Sequence, residues 1–106
     1  MKKRKVQKME KYNICGIPHT IIEKEVVEGN GSGTILGQIT YSECIIEMRK
    51  NQPPELYKQT LIHEIVHGML VMIGRNELSE DETFVQSLAL AISQTFDLKG
   101  EQRCAE

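Results

Sequence analysis

Hydrophobic positions along the chain follow two different periods. Between residues 12 and 50 they come in short, Ile- and Val-rich runs, and between 54 and 96 they recur at spacings of three and four. The first pattern predicts strands and the second predicts helices. YNICGIPHTIIEKEVVE, residues 12–28, reads as extended structure interrupted near Gly16–Pro18. GNGSG at 29–33 predicts a glycine-rich turn between strands. A second extended region runs from Thr34 to Lys50; in it Cys44, Ile46 and Met48 share one side, with Ile45, Glu47 and Arg49 on the other.

NQPPE at 51–55 ends the strand region and opens a helix. Proline costs nothing at the first helical positions, because those amides have no partner within the helix. Leu56, Ile62, Ile65, Val66, Met69, Leu70 and Ile73 keep helical spacing up to Gly74, a suitable C-terminal cap. Ser79-Glu80-Asp81-Glu82 then predicts a second helix, with Ser79 as N-cap and Glu82 completing a capping box. Val85, Leu88, Leu90, Ala91, Ile92 and Phe96 carry that helix toward DLKG at 97–100. Strands first and helices second place the chain in the α+β class.

Length and composition narrow this further. A chain of 106 residues with 40% hydrophobic and 26% charged residues fits one globular domain. No apolar run approaches the roughly 20 residues needed to span a bilayer, so no membrane role is expected. No apolar stretch follows the basic N-terminus, so no secretory signal is expected there. Cys15, Cys44 and Cys104 are odd in number and lack CxxC spacing, so a reducing, cytoplasmic location is expected. Residues 1–11 hold six of the thirteen basic residues and one acid, Glu10. They read as a flexible basic tail ahead of a single domain at 12–106. That domain is acidic, so nucleic acid contact is expected only weakly, through the tail.

The chemistry is concentrated in LIHEIVHGML, residues 61–70. On a helix, His63 and His67 lie one turn apart on the same face. Two imidazoles so spaced can converge on one Zn²⁺ at about 2.0–2.1 Å. Glu64 sits about 100° round the helix. There it borders the site without ligating, placed as general base toward an activated water. Ile62, Ile65, Val66 and Met69 form the other face and are expected to pack on the sheet.

A catalytic zinc centre takes three protein ligands and keeps a fourth position open. The acidic cluster Glu80-Asp81-Glu82 is the natural source of the third. Glu82, three before Val85 and seven before Ala89, turns toward the packed side and is the first choice. Asp81 is its close rival, and all three acids also suit a helix N-terminus by charge alone. His19, far upstream, is the only other histidine. Tyr57 and His19 are oxyanion-stabilising candidates by residue type, with a structural role the ordinary reading for each.

TLIHEIVHGML together with EDETFVQSLALAI, and more loosely GQITYSECIIEM, resembles the gluzincin-type zinc metallopeptidases. The likeness is greatest to their small ImmA/IrrE-like and phage- or mobile-element-encoded members, over roughly residues 36–96. The resemblance implies a small zincin-like domain with His63, His67 and Glu82 as zinc ligands and Glu64 as general base. It implies endopeptidase activity on a protein or peptide, a bacterial or phage regulator being one candidate substrate. It also implies that the Ile45–Met48 strand borders the cleft, where an extended peptide could pair along its edge. Thr83-Phe84-Val85 after Glu82 departs from the Glu-Ala-Asn/Asp and Phe-Ala pattern of larger relatives, and no counterpart of their C-terminal substrate-side domain is expected within these residues. The alternative function is a non-catalytic, zinc-stabilised adaptor that binds a protein partner.

Overall fold

The computed structural model describes residues 10–29 and 34–98. Six strands precede three helices: β1 (Glu10–Ile14), β2 (Ile17–Lys24), β3 (Val27–Glu28), β4 (Thr34–Ile35), β5 (Gly37–Thr40) and β6 (Ile45–Arg49), then α1 (Pro54–Met72), α2 (Asn76–Ser79) and α3 (Glu82–Thr95). The α+β order is as the sequence predicts. Glu10 and Lys11, assigned above to the basic tail, instead begin β1, because they pair with Ile21 and Thr20 of β2. The rest of the tail, residues 1–9, lies outside the described residues.

β1 and β2 form a hairpin whose two loop residues, Cys15 and Gly16, both have positive φ (53° and 85°). That is the mirror-image turn whose twist matches the strands, and glycine makes its second position inexpensive. β3 and β4 pair antiparallel around the glycine-rich turn, whose residues 30–33 lie outside the described residues. The larger sheet has the order β1-β2-β6-β5. It is mixed: β1–β2 and β5–β6 are antiparallel, whereas β2–β6 is parallel. β6 is therefore internal, with partners on both sides. The expectation that the Ile45–Met48 strand offers its own edge to a peptide is corrected: among the described residues the edge strands of this sheet are β1 and β5. The predicted alternation in β6 does hold, with Ile46 and Met48 fully buried and Arg49 exposed. Cys44 precedes the strand in a left-handed conformation.

Proline opens α1 as expected, with Pro53 as N-cap and Pro54 the first helical residue. The helix closes on Gly74 (φ 81°). The Gly74 amide reaches the Val71 carbonyl at 3.0 Å, and the Arg75 amide reaches Leu70 at 2.8 Å. This paired motif satisfies carbonyls that would otherwise be orphaned.

α1 is the middle layer, touching β1, β5 and β6 on one side and α2 and α3 on the other. One stripe, led by Leu61 and flanked by Ile65 and Tyr57, packs with Ile14, Ile21, Ile46 and Met48 of the sheet. A second stripe, Ile62, Val66 and Leu70, packs with Val85 and Ala89 of α3. The single sheet-facing stripe expected from the sequence is thus divided: Ile62 and Val66 face α3, and Met69 lies between the two cores. Each fully buried aliphatic here contributes about 1.5–3 kcal/mol. Gly68 permits the close helix–sheet approach, since a Cβ there would stand 3.0 Å from Ile39 Cδ1 and 3.2 Å from Ile14 Cδ1. No helix among the described residues is long and apolar enough to cross a membrane.

Candidate metal centre

Two buried stripes leave α1 one polar strip, and His63 and His67 lie on it, with rings centred 5.0 Å apart. α3, held by Val85 and Ala89 against α1, carries Glu82 across from them. Its carboxylate spans the pair: Oε1 is 3.1 Å from His63 Nε2 and Oε2 is 3.3 Å from His67 Nε2. One ligand atom from each residue can be chosen so that all three lie within 4.8 Å of one another. A tetrahedral ion about 2.0–2.1 Å from each ligand would set those ligands roughly 3.3 Å apart, a value that the 3.1 and 3.3 Å separations of the Glu82 oxygens from the two imidazoles match.

The far side of each imidazole is also held. Gln86 Oε1 lies 2.7 Å from His63 Nδ1, and Ser79 Oγ lies 2.9 Å from His67 Nδ1. With a cation in the site and Nδ1–H donated to these oxygens, each Nε2 would present its lone pair to the ion, the usual way a metal-binding histidine is oriented. The imidazoles are mostly buried, with side-chain exposures of 20% and 12%, while Glu82 is 68% exposed and leaves one side open to solvent. Burial holds His67 below its ordinary pKa, against the upward pull of Glu82. The neutral, metal-binding form is therefore favoured.

Asp81, the rival third ligand, has another task. It is the N-cap of α3, and its Oδ1 accepts the Phe84 amide at 3.1 Å. The capping assignment to Ser79 is corrected accordingly. Ser79 ends α2, a short helix the hydrophobic pattern does not reveal, and its buried hydroxyl serves His67. Among the described residues, only His63, His67 and Glu82 form a group of three or more metal-binding side chains.

Glu64 borders this cluster and faces β5. Burial pushes its carboxyl up to about 7, and the Glu82 charge adds to this. Opposing them are the His63 imidazole and a hydrogen bond from the Ile39 amide of β5. A carboxyl so poised can exchange a proton near neutral pH.

Tyr57 and His19 stand outside the site. Tyr57 donates to Glu23 Oε2 at 2.8 Å, and burial followed by the Glu23 carboxylate raises its phenol well above the usual range. His19 is fully buried on β2 with its Nδ1 2.8 Å from the Ile17 carbonyl. Its Nε2 has no hydrogen-bond partner among the described residues. Neither side chain is placed to meet a substrate oxyanion at the cluster.

Gln86 and Ser79 are the site residues the sequence left unnoticed. Gln86 follows Glu82 by four, the same-face spacing of a helix, so its place was accessible in principle. Ser79 had no such signal, because its role depends on where α2 ends. Comparison of the chain with protein-family models, with curated proteins and with solved structures finds no match.

Proposed function

We propose that this protein is a zinc-dependent metallopeptidase that hydrolyses peptide bonds within a protein substrate. The observation that carries the reading is the convergence of His63 Nε2, His67 Nε2 and the Glu82 carboxylate, with Glu64 beside them bonded to the edge strand β5. A mixed sheet laid over the His-Glu-x-x-His helix, with the third ligand on a following helix, supports a small zincin-like fold.

Zinc bound by these three side chains would act as a Lewis acid toward a carbonyl and lower the pKa of a water to roughly 7. The protein's own groups supply the rest. Gln86 and Ser79 keep both imidazoles aimed, and Glu82 contributes the negative ligand. Glu64 is placed to accept a proton at its carboxylate and return it to the departing amine nitrogen. β5 is the edge strand facing Glu64, and those of its outward main-chain groups that Glu64 does not occupy can hold an extended peptide by hydrogen bonds. A cleft of this kind suits an internal peptide bond, with a bacterial or phage regulator as a candidate substrate. Cys15 and Cys44 are free thiols, consistent with a cytoplasmic setting.

The test is zinc content and cleavage in the purified protein. Wild type should carry about one zinc per chain, and Glu64→Gln should keep the zinc while losing cleavage of an unstructured protein substrate. Cleavage that survives Glu64→Gln would remove this mechanism.

A second reading is a non-catalytic adaptor in which zinc serves stability. It is favoured by one observation: the three ligands tie α1 to α3 and so span a packed interface. For such a protein a chelator should unfold the domain. For a catalytic ion, the two helices should stay packed through Val66, Val85 and Ala89 after its removal.

A further inference from the structure

The cleft under β5 deepens at one end. Between the segment around Ile35–Gly37 and the first turns of α1 lies a cavity of about 430 Å³, bounded at its inner end by His63 and Glu64. That volume is within the range of sites that hold small molecules or single side chains. Its walls include Ile35, Leu36 and Leu56, with Gln59 and Thr60 completing the α1 side. Apart from Glu64, none of the residues named here as lining it carries a carboxylate, ammonium or guanidinium group.

The strand end beside the cavity is packed closely on α1 and β6. Gly37 lies against α1 with no side chain, and a Cβ there would stand 2.9 Å from Thr60 Cγ2 and 3.1 Å from Met48 Sδ. Leu56, an apolar residue in the first turn of α1, remains 37% exposed. In the other direction along β5, the surface is formed by Gln38, Ile39, Thr40, Tyr41 and Ser42 and carries hydroxyl and amide groups. Both surfaces are more apolar than polar, and the one beside Gly37 carries the aliphatic side chains of Ile35, Leu36 and Leu56.

We infer that the cavity beside Gly37 is a specificity pocket that takes an uncharged, apolar side chain next to the cleaved bond, with Leu36 and Leu56 as its determinants. This rests on the peptidase reading for its place in catalysis, though not for the binding itself. Among the lining residues only Glu64 and His63 could pair a charged side chain, so one lodged between Ile35, Leu36 and Leu56 would lose hydration without a partner beside it. An aliphatic or aromatic one would exchange water for carbon contacts. Gln59 and Thr60 leave room for the peptide's own polar groups at the rim.

Methyl and amide NMR titrations of the full chain with N-acetyl-leucine amide, N-acetyl-phenylalanine amide, and their aspartate and lysine counterparts test this. The leucine or phenylalanine compound should bind at least tenfold more tightly than either charged one, shifting the Ile35, Leu36 and Leu56 methyl signals. Leu56→Glu, a change at a partly exposed position, should abolish that preference. Equal binding of all four, preference for the charged pair, or shifts confined to other surfaces would overturn the inference. So would an unchanged preference in both Leu56→Glu and Leu36→Asp. Selective binding without any proteolysis would leave the pocket standing and sink the peptidase, whereas proteolysis with no apolar selectivity would do the reverse.

Discussion

Gln86 Oε1 stands 2.7 Å from His63 Nδ1, so the helix that brings the Glu82 carboxylate also aims an imidazole facing it. Both contacts come from one face of α3, and neither depends on a charged partner behind the histidine. Gln86→Ala should lower zinc affinity by about 10–100-fold while leaving the fold intact, because the side chain is exposed. Competition with a chromogenic chelator measures it, and Gln86→Glu should recover most of the loss. Unchanged affinity in the alanine variant would show that Gln86 does not orient the ligand.

Asp81 and Glu82 are neighbours with different duties, and single substitutions should separate them. Glu82→Ala should abolish stoichiometric zinc, as should His63→Ala and His67→Ala. Asp81→Ala should keep the zinc but lose about 0.5–2 kcal/mol of stability, the usual consequence of removing an N-cap. Metal analysis and urea unfolding on the same preparations would expose an exchange of roles.

The metal-free protein should show a pH dependence traceable to Glu64. Burial, with a smaller contribution from Glu82, raises its carboxyl from 4.5 to about 7 in the folded chain. A raised folded value means the folded state holds the proton more tightly. The associated stability is fully present below pH about 4.5 and is lost as pH rises through about 7. His67, held low by burial, acts in the opposite sense and loses stability as pH falls. The difference between wild type and Glu64→Gln isolates the first effect: in chelator, the variant should gain on wild type between pH 5 and 8. A constant difference across that range would contradict the burial of this carboxyl.

Tyr57→Phe addresses the sheet rather than the metal. It removes a 2.8 Å bond to the Glu23 carboxylate that links α1 to β2. A hydrogen bond to a charged group is worth about 1.5–3 kcal/mol. Urea midpoints should fall accordingly, with zinc content unaffected; a loss of zinc would mean that Tyr57 acts on the site.

The helical half of the molecule was legible because its signals are local. Proline before the helix, glycine after it and the three-four spacing locate α1, and His63, Glu64 and His67 follow from their spacing on it. Glu82 was legible as well, since Val85 and Ala89 mark the inward side of α3. What escaped depends on contacts between elements. Nothing near Ile45–Arg49 announces a parallel partner 25 residues upstream, as in Thr20↔Ile45, so the strand's internal position could not be read. Ser79 and Asp81 are both good caps by residue type, and the choice between them was made by α2, four residues with almost no periodicity. The division of α1 into two apolar stripes was likewise hidden until both its neighbours were in place.

The internal position of β6 bears on how the chain assembles as it emerges from synthesis. Up to Cys44 the described residues contain the β1–β2 hairpin, the β3–β4 pair and β5, and β5 has no strand partner among them. Only when Ile45–Arg49 slots between β2 and β5 do Ile21, Ile46 and Ile39 come into register across the ladder. Closing the long excursion between β2 and β6 costs entropy before it gains contacts, which makes that insertion the natural slow step. Weakening β6 should therefore retard folding of the whole barrier-limited unit, including the helix that bears the histidines, even though no residue of that strand belongs to the His63–His67–Glu82 cluster.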